Sequence, residues 1–206
     1  MSQVVPTAFL VDDDAGVLKA LRRLLGSAGV KVAAFDSPRR FLDSFDPAVA
    51  GCLVLDIAMP EFSGLELQQA LLAKGCDLPI IFLTGHGDIP TSVRAMKHGA
   101  ADFLQKPVDD EELLAAIRGA FSKNAVLRSA REARSTVERR LATLTTRERE
   151  VLDRVAAGRR NKQIAAELGV VEKTVKVHRA HVMQKMGART FAELLSQAER
   201  AGIKIG

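Results

Sequence analysis

Three aspartates, a threonine and a lysine stand at the ends of short apolar runs in the first half of this 206-residue sequence. They are Asp12, Asp13, Asp56, Thr84 and Lys106. Carboxylates that are brought together repel one another, so a cluster of three is costly unless a cation lies among them. Mg²⁺ is the expected cation, because it prefers a few carboxylates together with waters and phosphate oxygens. These residues therefore predict a magnesium site that handles phosphoryl groups.

Phosphoryl transfer to an aspartate is the chemistry that this group could perform. Asp56, as a carboxylate nucleophile, would attack a phosphoryl donor and form an acyl phosphate. Lys106 would pair with the added charge, and Thr84 would donate a hydrogen bond to a phosphoryl oxygen. An Asp at the end of a strand is also a common turn residue, and Asp14 is placed to cap a helix. The prediction therefore depends on the joint spacing of these residues and not on any one of them.

Five apolar runs must position these side chains. They are Ala8–Val11, Val30–Phe35, Leu53–Leu55, Ile80–Leu83 and Phe103–Leu104. The runs alternate with helical patterns, and parallel strands need such crossover helices to join them. The repeated unit therefore predicts an α/β fold with a doubly wound parallel sheet. In such sheets the functional groups lie at the carboxyl ends of the strands, where the five polar residues are expected.

Four motifs of this half resemble those of the receiver domain of two-component response regulators. They are Val11-Asp-Asp-Asp14, Leu55-Asp-Ile-Ala-Met-Pro60, Thr84-Gly-His-Gly-Asp88 and Lys106-Pro107. The resemblance covers the whole segment 1–122 and implies five parallel strands in the order 2-1-3-4-5. It also implies that a sensor histidine kinase donates the phosphoryl group.

The same resemblance implies roles for individual residues. Asp56 would be the phosphoacceptor, and Asp12, Asp13 and the backbone carbonyl of Ala58 would complete the Mg²⁺ site. Phosphorylation would then act on the fifth strand and the helices beside it.

A switch pair is implied as well. Thr84 and Phe103 would move together on phosphorylation, and the peptide bond before Pro107 would be cis.

The two parts of the chain carry charge of opposite sign. Residues 1–122 contain 11 Lys and Arg against 16 Asp and Glu, a net charge of −5, whereas residues 123–206 contain 19 against 9, a net charge of +10. The basic part predicts a polyanionic partner such as nucleic acid, although a solvated basic surface would have the same composition.

A helix-turn-helix pattern occupies residues 163–178 of the basic part. Ala165 is small enough to let two helices approach, Gly169 can adopt the positive φ of a tight turn, and Val175 would fill the space between the helices. A plain helical bundle with a short turn would show the same spacing.

The second helix of this pattern has one apolar face and one face suited to DNA. Steps of about 100° per residue place Val182 and Met186 beside Val175. The opposite face holds Lys173, Lys176, Val177, Ala180 and Gln184. Lysines can meet phosphates or guanine edges and methyl groups can meet thymine, so this face predicts contacts in the major groove, with a solvated helix face as the alternative.

Three motifs of the basic part resemble the LuxR-type four-helix DNA-binding domain. They are Leu144-Thr-Thr-Arg-Glu-Arg-Glu-Val-Leu152, Asn161-Lys-Gln-Ile-Ala165 and Thr174-Val-Lys-Val-His178. Joined to a receiver, this domain is similar to the FixJ-like group of response regulators. The resemblance places DNA contacts on Lys176, Val177 and Ala180, in agreement with the helical face. It implies double-stranded DNA as a partner, with RNA polymerase as a further one.

Phosphorylation would act through dimerisation or through release of the basic domain from the acidic one, and the sequence leaves both open. A homodimer would place two recognition helices roughly 34 Å apart, so the target would be an inverted repeat with half-sites about one turn apart.

Three segments follow from these patterns: a receiver at 1–122, a helical linker at 123–143 and a LuxR-type domain at 144–206. The linker contains neither Gly nor Pro, and its role is either that of a spacer or that of a dimer contact. One residue departs from the LuxR-type pattern. Val171 stands where the family commonly has Ser, so the recognition helix is expected to lack its N-cap hydroxyl.

Two rival functions use the same residues. A haloacid-dehalogenase-like phosphatase would also use an Asp nucleophile, but it would carry Asp-x-Asp at the first strand and usually a cap domain. A phosphate-independent DNA-binding protein would not need the full set of five polar residues. We therefore expect a regulator that is not an enzyme beyond slow self-dephosphorylation. No signal sequence or membrane span is recognisable, and Cys52 and Cys76 have no metal or disulfide spacing, so a soluble cytoplasmic protein is expected.

Overall fold

Five parallel strands form one sheet in the first half of the protein. The computed structural model describes residues 5–60, 62–85, 94–200 and 202. Its strands are β1 (Thr7–Val11), β2 (Lys31–Phe35), β3 (Gly51–Asp56), β4 (Ile80–Thr84) and β5 (Asp102–Gln105). They lie in the order β2-β1-β3-β4-β5, and every neighbouring pair is parallel. The predicted α/β sheet and its strand order are thus confirmed.

Helices with capped N-termini connect the first strands. They are α1 (Ala15–Ser27), α2 (Pro38–Ser44) and α3 (Gly64–Ala73). Asp14 accepts hydrogen bonds from the backbone N–H groups of Gly16 and Val17, so it caps α1 as its position indicated. Between β4 and β5, residues 94–97 are helical. The motif residues 86–88 lie outside the described residues.

The sheet is buried on both faces. Alternate residues of the central strands point to two apolar clusters, one around Leu53 and Phe82 and the other around Val54 and Ile81. Burial of each large apolar side chain stabilises the fold by roughly 1.5–3 kcal/mol. Cys52, in the middle of this packing, is fully buried, and burial raises the pKa of its thiol to about 12.

The second half contains helices only, among the residues described. They are α4 (Asp110–Ala142), α5 (Thr146–Ala156), α6 (Asn161–Leu168), α7 (Glu172–Met186) and α8 (Phe191–Arg200). Gly158, Gly169 and Gly187 all have positive φ and end α5, α6 and α7, and Gly169 adopts the positive φ that was expected of it. The last four form the expected four-helix domain, with Val175 fully buried beside Ile164 and Ala165.

The predicted linker is part of a longer helix. α4 runs for 33 residues and includes both the last helix of the receiver and the segment 123–142. Two compact units divide the chain at 127/128, and that division falls inside α4. Leu113 and Ile117 of α4 belong to a core cluster of the first unit, and Val137 belongs to one of the second.

None of the helices in the described part of the chain is long and apolar enough to cross a membrane.

Candidate functional site

The carboxyl ends of β1 and β3 bring two buried aspartates onto one lysine. Lys106, which follows β5, donates hydrogen bonds from its Nζ to Asp12 Oδ2 and to Asp56 Oδ1, each at 2.6 Å. Asp12 is 2% exposed and Asp56 is 6% exposed, so both carboxylates lie largely out of water. Buried carboxylates require compensation of this kind, and the ammonium group supplies it to both.

The protonation of Asp12 and Lys106 reflects this shared environment. Burial raises the pKa of Asp12 above its ordinary value of 3.8, against hydrogen bonds from Lys106 and from the backbone N–H of Asp14 that lower it. Burial alone would lower the pKa of Lys106, but the hydrogen bonds and negative charges of the two aspartates outweigh it and raise that pKa. The lysine is therefore held firmly in its charged form.

The other two predicted Mg²⁺ ligands lie close in the chain to Asp12 and Asp56 but do not share their hydrogen bonds to Lys106. Asp13 and Ala58 are both exposed, next to Asp12 and just after Asp56. Among the described residues, no group of three or more His, Cys, Asp or Glu side chains is placed to hold a metal ion. Asp13 is thus not drawn into a cluster with the other two carboxylates.

The donor set nevertheless fits a magnesium ion. Two carboxylates from different strands already converge on one cation, and Mg²⁺ takes such partial ligation with water as the remainder.

The predicted switch residues lie on the two adjoining strands. Thr84 ends β4 and is 7% exposed, and its backbone carbonyl accepts a 2.7 Å hydrogen bond from the backbone N–H of Lys106. Phe103 lies in β5, partly buried, with its ring centroid 6.5 Å from that of Phe82. The Lys106–Pro107 peptide bond is cis, which confirms the conformation that the resemblance implied.

All residues of the predicted DNA-binding face are exposed on α7. They are Lys173, Lys176, Val177, Ala180 and Gln184. The opposite face of the helix is buried, with Val175, Val182 and Met186 each at most 3% exposed. The helical wheel therefore assigned the two faces correctly. Whether the exposed face contacts DNA is a separate matter of function.

Comparison with known families covers most of the chain. Residues 8–118 match the family model described as the response regulator receiver domain, and residues 142–198 match bacterial regulatory proteins of the luxR family. The chain belongs to the response regulators. It combines a receiver with a LuxR-type DNA-binding domain, and relatives with this organisation are transcriptional regulators of two-component systems.

Similar proteins match this response regulator over nearly its whole length. Nodulation protein W of Bradyrhizobium diazoefficiens is 47% identical over 95% of this chain and 86% of its own. Transcriptional regulatory protein FixJ of Azorhizobium caulinodans is 45% identical over 94% and 92%. Among solved structures, response regulator StyR has a TM-score of 0.87 at 49% identity, over 95% and 98% of the two chains. Full-length FixJ from B. japonicum has a TM-score of 0.59 at 40% identity, over 96% and 97%. The resemblance to the FixJ-like group is confirmed.

In this regulator, α7 begins without a side-chain cap. Val171 occupies the N-cap position with φ −83° and ψ 152°, and no side chain accepts a hydrogen bond there. Its side chain is 67% exposed, so it also gains little from burial. By contrast, Thr145 caps α5 and forms a full capping box with Glu148.

Two features of the regulator escaped sequence reasoning. Gly64 begins α3 so close to the end of β3 that a Cβ atom would lie 2.3 Å from the backbone oxygen of Asp56. The capping pair Ser63 and Glu66 marks this helix start, but only the fold shows which backbone it meets.

The second is a buried ion pair in the DNA-binding domain. Glu148 is 4% exposed and accepts a 2.6 Å hydrogen bond from Lys185 Nζ. This bond, with a second from the backbone N–H of Thr145, lowers the pKa of Glu148 to about 2. The partner lies 37 residues away, so no local pattern could show it.

Proposed function

We propose that Asp56 accepts a phosphoryl group from the phosphohistidine of a sensor histidine kinase and that this controls DNA binding by the LuxR-type domain. A carboxylate oxygen of Asp56 forms the new bond to phosphorus while the bond to the histidine nitrogen breaks. The observation that supports this most is the pair of 2.6 Å hydrogen bonds from Lys106 to Asp12 and Asp56. It brings a carboxylate and an ammonium group side by side at the end of the sheet.

Each neighbouring residue has a defined part in this proposal. Lys106 neutralises the charge that arrives with the phosphoryl group, and the hydroxyl of Thr84 donates to a phosphoryl oxygen. Asp12, Asp13, Asp56 and the backbone carbonyl of Ala58 would hold Mg²⁺. When bound, that ion supplies further charge neutralisation at the phosphoryl oxygens.

The response passes to the DNA-binding domain through Thr84 and Phe103. Their rearrangement alters the surface around β5, and the regulator then dimerises or exposes its basic domain. Lys173, Lys176, Val177, Ala180 and Gln184 of α7 contact inverted-repeat DNA in the major groove. The positive charge of the second part of the chain favours that partner. RNA polymerase is a further partner. The regulator acts in the cytoplasm, where it meets both the kinase and the DNA.

Phosphorylation is tested with acetyl phosphate and Mg²⁺, by intact-protein mass spectrometry. Wild type should gain one phosphoryl group, Asp56→Asn should gain none, and exposed Asp43→Asn, the matched charge control, should behave as wild type. Rapid steady turnover of acetyl phosphate would instead indicate a phosphatase. Absence of any adduct would indicate a phosphate-independent regulator.

Control of DNA binding is tested by selection of duplexes from a random pool, followed by affinity measurements with and without the phosphodonor. The donor should increase the affinity of wild type but not that of Asp56→Asn. Equal affinity in all four conditions would contradict the proposed switch.

A further inference from the structure

The end of α4 and the end of the recognition helix α7 hold each other through two reciprocal hydrogen bonds. Arg140 of α4 donates from Nη1 to the backbone oxygen of Met186, the last residue of α7, at 2.8 Å. Lys185 of α7 donates from Nζ to the backbone oxygen of Thr143, just beyond α4, at 3.1 Å. Carbonyls at the C-terminal end of a helix lack intrahelical partners, and the helix dipole favours a cation there. We call these four residues the clasp.

The space for the clasp is provided by a glycine. Gly187 ends α7 with φ +62°, and a Cβ atom at this position would lie 3.1 Å from Cζ and 3.2 Å from both terminal nitrogens of Arg140. Such contacts are tighter than side chains normally allow, so any larger residue would press on the guanidinium group. Gly187 therefore both allows the turn at the end of α7 and leaves room for the guanidinium group of Arg140.

Apolar packing supports the same contact. Val137, one turn before Arg140, is 4% exposed and belongs to one core cluster with Val182 and Met186 of α7. The match to the luxR family begins only at residue 142, so Val137 and Arg140 both precede it. The core of the DNA-binding domain thus starts earlier in the chain than the family pattern does.

We propose that Arg140 is a positioning residue for DNA recognition, which fixes the C-terminal end of α7 so that its exposed face meets the bases in register. Base contacts discriminate only when the side chains are held to within about 0.5 Å. The proposal rests on the assignment of α7 as the recognition helix. It predicts that loss of the clasp weakens binding to a preferred sequence more than binding to DNA in general.

The test compares two neighbouring arginines in the full-length protein. Arg140→Met removes the bond to Met186, whereas Arg139→Met removes the same charge from an exposed residue whose guanidinium bonds only to Thr136, among the hydrogen bonds identified. The probes are a duplex selected by wild type from a random pool and a scrambled duplex of equal composition. Arg140→Met should lower the affinity ratio of the two about tenfold, equivalent to about 1.4 kcal/mol. Arg139→Met should leave the ratio unchanged, and Arg140→Lys, which keeps a donor, should restore much of it.

Hydrogen exchange without DNA provides a second measurement. Amides of Gly187 and Ala188, which bond to the last turn of α7, should exchange about tenfold faster in Arg140→Met than in Arg139→Met. Unchanged exchange, or an unchanged affinity ratio in folded Arg140→Met, would overturn the proposal. Lys176→Met separates the two assignments. If it leaves the affinities for both duplexes at the wild-type values, α7 does not contact DNA; if it lowers them while Arg140→Met keeps the wild-type ratio, Arg140 has no positioning role.

Discussion

Each half of the protein contains at least one buried carboxylate that forms an ion pair with a lysine. In the receiver, Lys106 serves Asp12 and Asp56, and in the DNA-binding domain Lys185 serves Glu148, with every N–O distance 2.6 Å. Removal of the lysine from such a contact leaves a buried carboxylate unpaired, which costs more free energy than loss of an exposed ion pair. The two sites differ in purpose, because only the receiver pair lies at the end of a parallel sheet.

Glu148 should make the stability of the DNA-binding domain depend on pH. Its pKa is lowered from an ordinary 4.5 to about 2 in the folded state, so its contribution is complete above pH 4.5 and is lost as pH falls from 4.5 towards 2. Glu148→Gln retains the shape of the capping box but not the charge. At pH 7 we expect this variant to be less stable by about 1–3 kcal/mol. Denaturant unfolding at several pH values measures the difference, which should shrink across that window.

Glu150→Gln is the matched control, since its carboxylate pairs with Arg147 on the exposed surface. It should change stability by less than about 1 kcal/mol. A difference between wild type and Glu148→Gln that stays constant from pH 7 to pH 2 would contradict the assignment.

Gly64 should tolerate no side chain. Gly64→Ala would place a methyl group 2.3 Å from the Asp56 backbone oxygen, so either α3 or the end of β3 must shift. We expect destabilisation of about 1–3 kcal/mol, together with slower phosphorylation by acetyl phosphate. Gly119→Ala is the control of opposite sign, because nothing lies within 4 Å of its Cβ position in α4. It should gain up to about 1 kcal/mol. Equal stability of the two variants would show that the close approach is easily relieved.

At the scale of elements, local patterns predicted most of the structure. Apolar runs predicted the five strands within a few residues, and the capping position of Asp14 predicted the start of α1. The boundary between the last receiver helix and the linker could not be predicted in the same way. Nothing in the sequence separates the last receiver helix from the linker, because no Gly or Pro interrupts it after Gly119.

The residues at the ends of strands were predictable, whereas the contacts between helices of the DNA-binding domain were not. Asp12, Asp56 and Lys106 were identified because strand ends share one edge of the sheet. The pairs Arg140–Met186 and Glu148–Lys185 join positions 46 and 37 residues apart, and they depend on how helices pack. Periodicity assigns a residue to a face of its helix but does not identify the opposing residue.

The uncapped start of α7 can be improved. Val171→Ser would supply a side-chain acceptor to the first turn, which lacks one, and remove an exposed apolar side chain. A gain of about 1 kcal/mol, and a higher melting temperature, is expected. Thr145→Ala, which removes an existing cap, should lower stability by a similar amount. Thermal unfolding followed by circular dichroism measures both, and an unchanged or lower melting temperature for Val171→Ser would refute the prediction.

At the scale of the whole molecule, the charge is unevenly divided. The segment 1–122 carries −5 and the segment 123–206 carries +10, so an overall charge of +5 conceals a strongly basic part. Binding to DNA should therefore weaken steeply with salt, because each phosphate contact releases a counterion.

Individual lysines on the exposed face of α7 should account for part of this salt dependence. Lys176→Met should reduce the slope of log affinity against log salt by about 1 if the ammonium contacts a phosphate. In the free protein this lysine lies 3.5 Å from Glu172, a pair that DNA would displace. Lys123→Met, on the exposed surface of α4, should leave the slope unchanged. Fluorescence anisotropy of a labelled duplex at several salt concentrations gives the slopes, and equal slopes for both variants would exclude a phosphate contact by Lys176.

The thiol in the central strand makes it possible to time how often the receiver opens. The chain has neither Trp nor Tyr, so its intrinsic fluorescence carries little information. Cys52 is fully buried with a thiol pKa of about 12, and a maleimide can reach it only while the packing of α1 and α4 over this face of the sheet opens. The rate at which Cys52 is labelled therefore measures how often this region opens. Asp56 lies four residues further along the same strand, so we expect a phosphoryl group on Asp56 to slow the labelling of Cys52.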